Sequence, residues 1–279
     1  MEPTPNTQKS ELTGNVLFYK NPQPLNPETH AGLGVKQIDQ PFGFLRDAHA
    51  VPVTVTEFGM ASTAYPIIFV GNDFTPVAVM GVSEGQNLFV QEDGQTDPDF
   101  YVPAFVRRYP FVFANDNSGD RMLLCIDRDA PMVTNQPDVP LFENGEPSPF
   151  TQNAIEFCKE FERQRRSTTE FTEIIRRMGL MEQKSVSFQP RDLQGNPNGE
   201  QQKIADYWAI DEEKLNALTD EQFKELRTNG ALGAIYAHMV SLLNWQRIIQ
   251  RALLTQRGTQ VAPEAPVMPS APTTPPTSF

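Results

Sequence analysis

The residues best suited to chemistry are Arg107 and Arg108, adjacent within the aromatic and aliphatic stretch 101–114, Tyr-Val-Pro-Ala-Phe-Val-Arg-Arg-Tyr-Pro-Phe-Val-Phe-Ala. A guanidinium fork beside rings, with Tyr109 next to it, suits a carboxylate or a phosphate. The competing use is structural and commoner. An arginine in an apolar run must be paired when buried, and Asp127 and Asp129 are the acids at hand. His238, in Tyr236-Ala-His238 on an apolar helical stretch, has the chemistry of a general base. A lone histidine there more often packs with its ring hydrogen-bonded. Asp127 and Asp129 follow a strand and could form a carboxylate pair for acid or metal chemistry, although strand-end aspartates more often form turns. Arg107, Arg108, Tyr109, Asp127, Tyr236 and His238 are therefore the candidate ligand- or partner-binding residues. No catalytic assignment follows from them.

Composition narrows the classes. The 279 residues carry 35 acidic against 23 basic side chains, a formal charge of −12. That balance argues against a general nucleic-acid footprint, which needs a basic face. Cys125 and Cys158 show no CxxC spacing, and His30, His49 and His238 are far apart, so neither a disulfide framework nor a metal site is expected. Phosphate-loop, dinucleotide and GxSxG patterns are absent, and no cofactor is expected. The first fourteen residues lack a basic region followed by an apolar one, and the most apolar stretch, 231–245, falls short of a membrane span. The expectation is a cytoplasmic protein.

These candidates must be held by local structure. Pro103 suits the first turn of a helix over 103–108, and Pro110 turns Tyr109 away from helix, so a buried strand is expected over 111–114. Other strands are expected over 16–19, 51–56, 64–70, 74–82, 87–90 and 122–126, with a turn at 71–73. Short strands joined by turns, without helices between them, argue for an antiparallel sheet or partial barrel. A proline-rich connection covers 130–149, with a turn at Glu143-Asn-Gly145. Ser148-Pro149 starts a helix. Phe150, Ala154, Phe157, Phe161, Gln164, Thr168, Phe171, Ile175 and Met178 then recur in steps of four and three. The polar middle of that stripe predicts two helices or a kink near Ser167, and Gly179 supplies the stop. Short strands are expected over 186–188 and 207–210 around a loose loop at 192–199. Helices follow over 211–218, from the Thr219–Gln222 capping box to Asn229-Gly230, and over 231–256. The proline-rich composition beyond 258 cannot collapse into a core.

Several segments resemble one protein family. They are Pro24-Leu25-Asn26 with Glu28 and His30, Val51-Pro52-Val53 with Glu57-Phe58, Tyr65 to Phe69, Asn87 to Val90, and Tyr101 to Phe111. Cys125-Ile126-Asp127, Leu141-Phe142, Asp211 to Leu215, and Gly230 through Ile235-Tyr236-Ala237-His238 to Asn244 continue the likeness. Over residues 15–250 the chain resembles the SapC family of bacterial proteins, whose most specific signature here is Tyr101 to Phe111. The resemblance implies a role linked to the surface layer or to outer-membrane nutrient uptake. It supplies no catalytic residues, and it is distinct from the like-named transporter permease.

The expected protein is α+β, an N-terminal antiparallel sheet or partial barrel packed with C-terminal helices. Its parts are a loose N-terminus at 1–14, a β-rich part at 15–129, the connection at 130–149, a mainly helical part of the same domain at 150–257 and a disordered tail at 258–279. The leading function is an accessory or binding protein with a protein partner. The rival is an enzyme acting on a small anionic or peptide substrate through a cleft where Arg107 or Arg108, Asp127 and His238 converge.

Overall fold

A computed structural model describes residues 17–115, 122–189 and 197–260. The expectations for 1–14, for the turn before residue 121, for most of the 192–199 loop and for the tail beyond 260 lie outside the described residues.

The described chain opens with β1 (Pro22–Pro24), β2 (Gly34–Val35) and β3 (Ala50–Pro52), followed by a 3-10 turn at Val55–Glu57 and α1 (Phe58–Ala61). Then come β4 (Ile67–Val70), β5 (Thr75–Val79), α2 (Ala104–Arg107), β6 (Phe111–Asn115) and β7 (Met122–Asp127). The short strands β8 (Val133–Thr134), β9 (Val139–Pro140), β10 (Phe142–Glu143) and β11 (Glu146–Pro147) lead into α3 (Pro149–Arg177). The chain continues through β12 (Met181–Phe188), β13 (Gln202–Ile210), α4 (Glu212–Asn216), α5 (Asp220–Thr228), α6 (Ala231–Ser241) and α7 (Asn244–Gln260).

This is an α+β fold. Its largest sheet has the order β12-β13-β4-β5-β3, a second has the order β1-β7-β6, and a third has the order β8-β2-β9. The pairings are antiparallel, and among the described residues no sheet closes into a barrel. The β4–β5 hairpin turns at Gly71, whose φ of 69° a side chain would resist. Asn144 and Gly145 both take positive φ and close the β10–β11 hairpin, as a type I′ turn requires.

Some expected elements shifted for identifiable reasons. Residues 17–19 are not a strand, and Phe18 takes a φ of 80°. The strand forms instead at Pro22–Pro24, on the edge of its sheet, where a missing N–H costs no ladder bond. The strand expected over 51–56 ends at Pro52, because Thr54 and Glu57 form a capping box that starts a turn. Residues 87–90 contribute only the isolated bridge Val90↔Thr96. The two short strands expected at 186–188 and 207–210 are the ends of the long β12–β13 hairpin. That hairpin joins the N-terminal strands through Trp208↔Phe69.

Two corrections concern helices. α3 runs unbroken for 29 residues, capped by Ser148 with Pro149 at its first position and stopped at Gly179, φ 68°. Its polar middle does not mark a break. The Thr168 hydroxyl donates to the Gln164 carbonyl and accepts the Val55 N–H at 2.9 Å, tying the helix to the 55–57 turn. Conversely, the helix expected over 231–256 is two. The N–H groups of Leu242 and Leu243 bond three residues back, tightening the last turn of α6. Asn244 then donates to the carbonyls of Ser62 (2.7 Å) and Tyr65 (3.2 Å), which fixes the start of α7.

Burial divides the interior into two cores. The larger gathers Phe58, Ile67, Phe69, Phe105, Phe161, Phe171, Ile175, Ile235 and Ile248 around the main sheet. The smaller gathers Tyr19, Tyr109, Phe111, Cys125, Ile126, Leu141 and Cys158. Two elements bridge them. α3 gives Cys158 to the smaller core and Phe161 to the larger one. The 101–114 stretch gives Phe105 and Val106 to the larger core, then Tyr109 to Val112 to the smaller.

Candidate functional site

The expected helical turn, break and strand over 101–114 are all present, and the Tyr109–Pro110 peptide is cis. The arginines at this crossing point different ways. Arg107 is exposed; its Nε donates to the Val102 carbonyl at 3.0 Å and an Nη to the Tyr101 hydroxyl at 3.1 Å. Its guanidinium also lies over the rings of Tyr101 and Phe157, at 5.6 and 5.3 Å.

Arg108 is only 7 % exposed. Its guanidinium is sandwiched between Phe105 and Phe161, 4.4 and 4.5 Å from the ring centres, with Tyr19 at 5.9 Å. Stacking of a planar cation on two faces is favourable and is strengthened by removal from water. The acid pairing considered from sequence does not occur. Arg108 forms no ion pair among the described residues, and its buried Nε has no hydrogen-bond partner.

Asp127 is fully buried and otherwise engaged. Its carboxylate accepts the N–H groups of Lys20 (3.0 Å), Asn21 (2.8 Å) and Asp129 (3.3 Å) and the Tyr109 hydroxyl (3.2 Å). Four donors satisfy the buried carboxylate. Burial, then the Asp127 charge, raise the Tyr109 phenol, and burial raises that of Tyr19, which donates to the Phe111 carbonyl at 2.6 Å. Asp129 receives only Asn21 Nδ2 at 3.3 Å from the same loop. Arg108, Tyr109 and Asp127 thus share one neighbourhood around Tyr19, built as a scaffold and not as an open cleft.

His238 lies elsewhere, fully buried in the larger core against Phe69, ring centres 4.9 Å apart. Its Nε2 accepts the Ile210 N–H at 3.1 Å, which places the proton on Nδ1. Burial pulls the imidazole down to about 4. A ring whose acceptor nitrogen is already used, in a sealed site, has no lone pair for a substrate proton. Tyr236 emerges on the opposite side of α6 and is exposed. The six candidate residues therefore fall in at least three places, and no described cleft joins Arg107, Asp127 and His238.

One buried acid escaped notice as a site residue. Glu57 Oε2 accepts the Thr54 N–H (2.9 Å) and hydroxyl (2.7 Å), while Oε1 accepts the Ala104 N–H (2.6 Å) and the Tyr101 hydroxyl (2.8 Å). It clamps the start of α2 to the 54–57 turn. Burial and the Glu57 bond push the Tyr101 phenol up to about 12. The spacing Thr54-x-x-Glu57 was the available signal.

Both cysteines are buried and free, and burial raises each thiol to about 11, so neither is a ready thiolate. Among the described residues no group of three or more His, Cys, Asp or Glu could hold a metal ion, and no helix is long and apolar enough to cross a membrane.

The family model described as SapC matches residues 25–248, most of the chain and all of the crossing at 101–114. The chain belongs to the SapC family. No curated protein and no solved structure matches it.

The surface of this SapC-family chain departs from expectation at α6. The sequence Ala-Leu-Gly-Ala-Ile-Tyr-Ala-His-Met-Val-Ser is apolar all round apart from His238 and Ser241, which face inward. An all-round apolar helix belongs in an interior. Yet Tyr236 is 48 % exposed and Val240 57 %, one turn apart, and Leu243 follows at 74 %. The neighbouring α1 adds exposed Met60.

Proposed function

We propose that this SapC-family protein is an accessory protein that works by docking a protein partner, as part of surface-layer assembly or outer-membrane nutrient uptake. The observation that carries the reading is the outer face of α6. Tyr236 and Val240, one turn apart on α6, and Leu243 just beyond its end expose apolar side chains where a solvated helix would carry charge. A tyrosine flanked by aliphatic side chains is the composition of an interface centre. The complementary partner surface is apolar and uncharged at its centre. The physiological setting comes from the family, and a cytoplasmic location belongs to the same proposal; cell fractionation tests the latter.

The rival, an enzyme using an Arg/His/Asp cleft, has less support. Asp127 has its donors, His238 has committed its acceptor nitrogen, and the groups sit in different cores.

Photo-crosslinking from position 240 in the native cell tests the docking reading. The expected result is a discrete adduct with a cytoplasmic protein that handles a surface-layer component or an outer-membrane receptor before export, and none from an exposed control position on α5. No adduct at 240, or the same set of adducts at both positions, would overturn it.

A further inference from the structure

A second surface feature lies between α3 and the β6–β7 ribbon. Ile155, Lys159, Glu162, Arg163 and Arg166 recur in steps of four, three, one and three, which places them on one face of α3. Opposite them stand Phe113 and Leu124, a cross-strand pair, and Met122. Together these side chains line a cavity of about 600 Å³, within the range of small-molecule sites.

The lining is polarised. Phe113, Met122, Leu124 and Ile155 make an apolar floor, and Lys159, Arg163 and Arg166 make a basic rim. The one acid of the lining, Glu162, is held by Arg165 at 2.7 Å. Lys159 and Arg163 have only exposed partners one turn back, Glu156 and Glu160. Such pairs contribute little and exchange readily for a better anion. Arg166 has no ion pair among the described residues. Three cations gathered at one apolar groove are conspicuous in a chain of net charge −12.

The geometry points to a binding site for a small amphipathic anion: an aliphatic chain on the Phe113–Leu124–Ile155 floor, with its carboxylate at Arg163 and Arg166. An apolar chain gains by leaving water for that floor, and a carboxylate accepts the planar guanidinium fork in a way that an alcohol or a cation cannot. Selectivity for the anion over its neutral and cationic analogues of equal chain length is the signature of this site.

Isothermal titration of the full chain with sub-micellar decanoate, decanol and decyltrimethylammonium is the test. One decanoate should bind per chain, at least about tenfold more tightly than either analogue. Arg163→Glu/Arg166→Glu should abolish that preference, and Met122→Gln should weaken decanoate and decanol alike. All three positions are exposed, so the variants should keep the wild-type circular dichroism. Equal binding of decanoate and decanol, no decanoate binding, or decanoate binding untouched by the charge reversal would overturn the proposal. Sedimentation with anionic vesicles without decanoate binding would also overturn it, since the basic rim would then be a membrane contact.

Discussion

Arg108 and Val240 stand in opposite circumstances. Arg108 is a cation 7 % exposed, closed between two phenylalanine rings, whereas Val240 is an aliphatic side chain 57 % exposed on a helix with no outward charge. Around Arg108 the other polar groups are accounted for: Asp127 by three backbone N–H groups and Tyr109, Glu57 by four donors. Around Val240 the apolar groups, Tyr236 and Leu243 among them, are left facing water. The first arrangement leaves little polar surface unmet, and the second leaves apolar surface that the proposed docking would cover. Arg108, Asp127 and His238 are thus held in the interior, and the surface proposed to meet a partner is made of side chains with little chemistry of their own.

The sharpest way to break this comparison is at Glu57. Glu57→Ala strands Ala104 N–H, Thr54 and Tyr101 in an interior, and should destabilise by about 3–5 kcal/mol in denaturant unfolding. A loss under about 1 kcal/mol would mean that the clamp is not structural.

Arg108 offers a paired test. Arg108→Ala opens a cavity between Phe105 and Phe161 and should cost about 2–4 kcal/mol. Arg108→Met keeps the volume and removes a buried cation that has no acid, so it should lie within about 1 kcal/mol of wild type. Equal losses in both would show that the charge itself is required.

His238 sharpens the comparison through pH. Burial holds its folded-state value at about 4, below the unfolded value near 6.5. As pH falls below 6.5 the unfolded chain takes up a proton that the folded chain refuses. Stability that is complete above pH 6.5 is therefore lost progressively toward pH 4. Between pH 6.5 and 5 this should remove about 1–2 kcal/mol, a loss absent from His238→Gln. Parallel pH profiles for the two proteins would contradict it. The smallest effect on stability is expected on α6. Tyr236→Ser/Val240→Ser should change the unfolding free energy by no more than about 0.5 kcal/mol, as exposed positions do.

What was legible in the sequence was local. Ser148-Pro149, the Thr219–Gln222 box and Gly179 each carry their stop or start signal within a few residues, and the structure places them accordingly. The turn, break and strand at 101–114 are equally local consequences of Pro103 and Pro110. What was not legible depended on distant partners. The break before Asn244 is set by carbonyls of Ser62 and Tyr65. The polar middle of α3 stays helical because Val55 needs an acceptor. The extension of the main sheet rests on Trp208↔Phe69. Of the candidate residues, Arg108, Tyr109 and Asp127 do lie together around Tyr19. Side-chain types could not show that Arg108 would be met by rings and not by an acid, nor which side of α6 would face out.

The most direct test of the account is partner capture from the native cell with three folded baits: wild type, Arg108→Met and Tyr236→Lys/Val240→Lys. The account predicts one partner held by wild type and by Arg108→Met and lost with the α6 variant. A partner lost with Arg108→Met and kept by the α6 variant would contradict it, placing recognition at the crossing and not on the outer face.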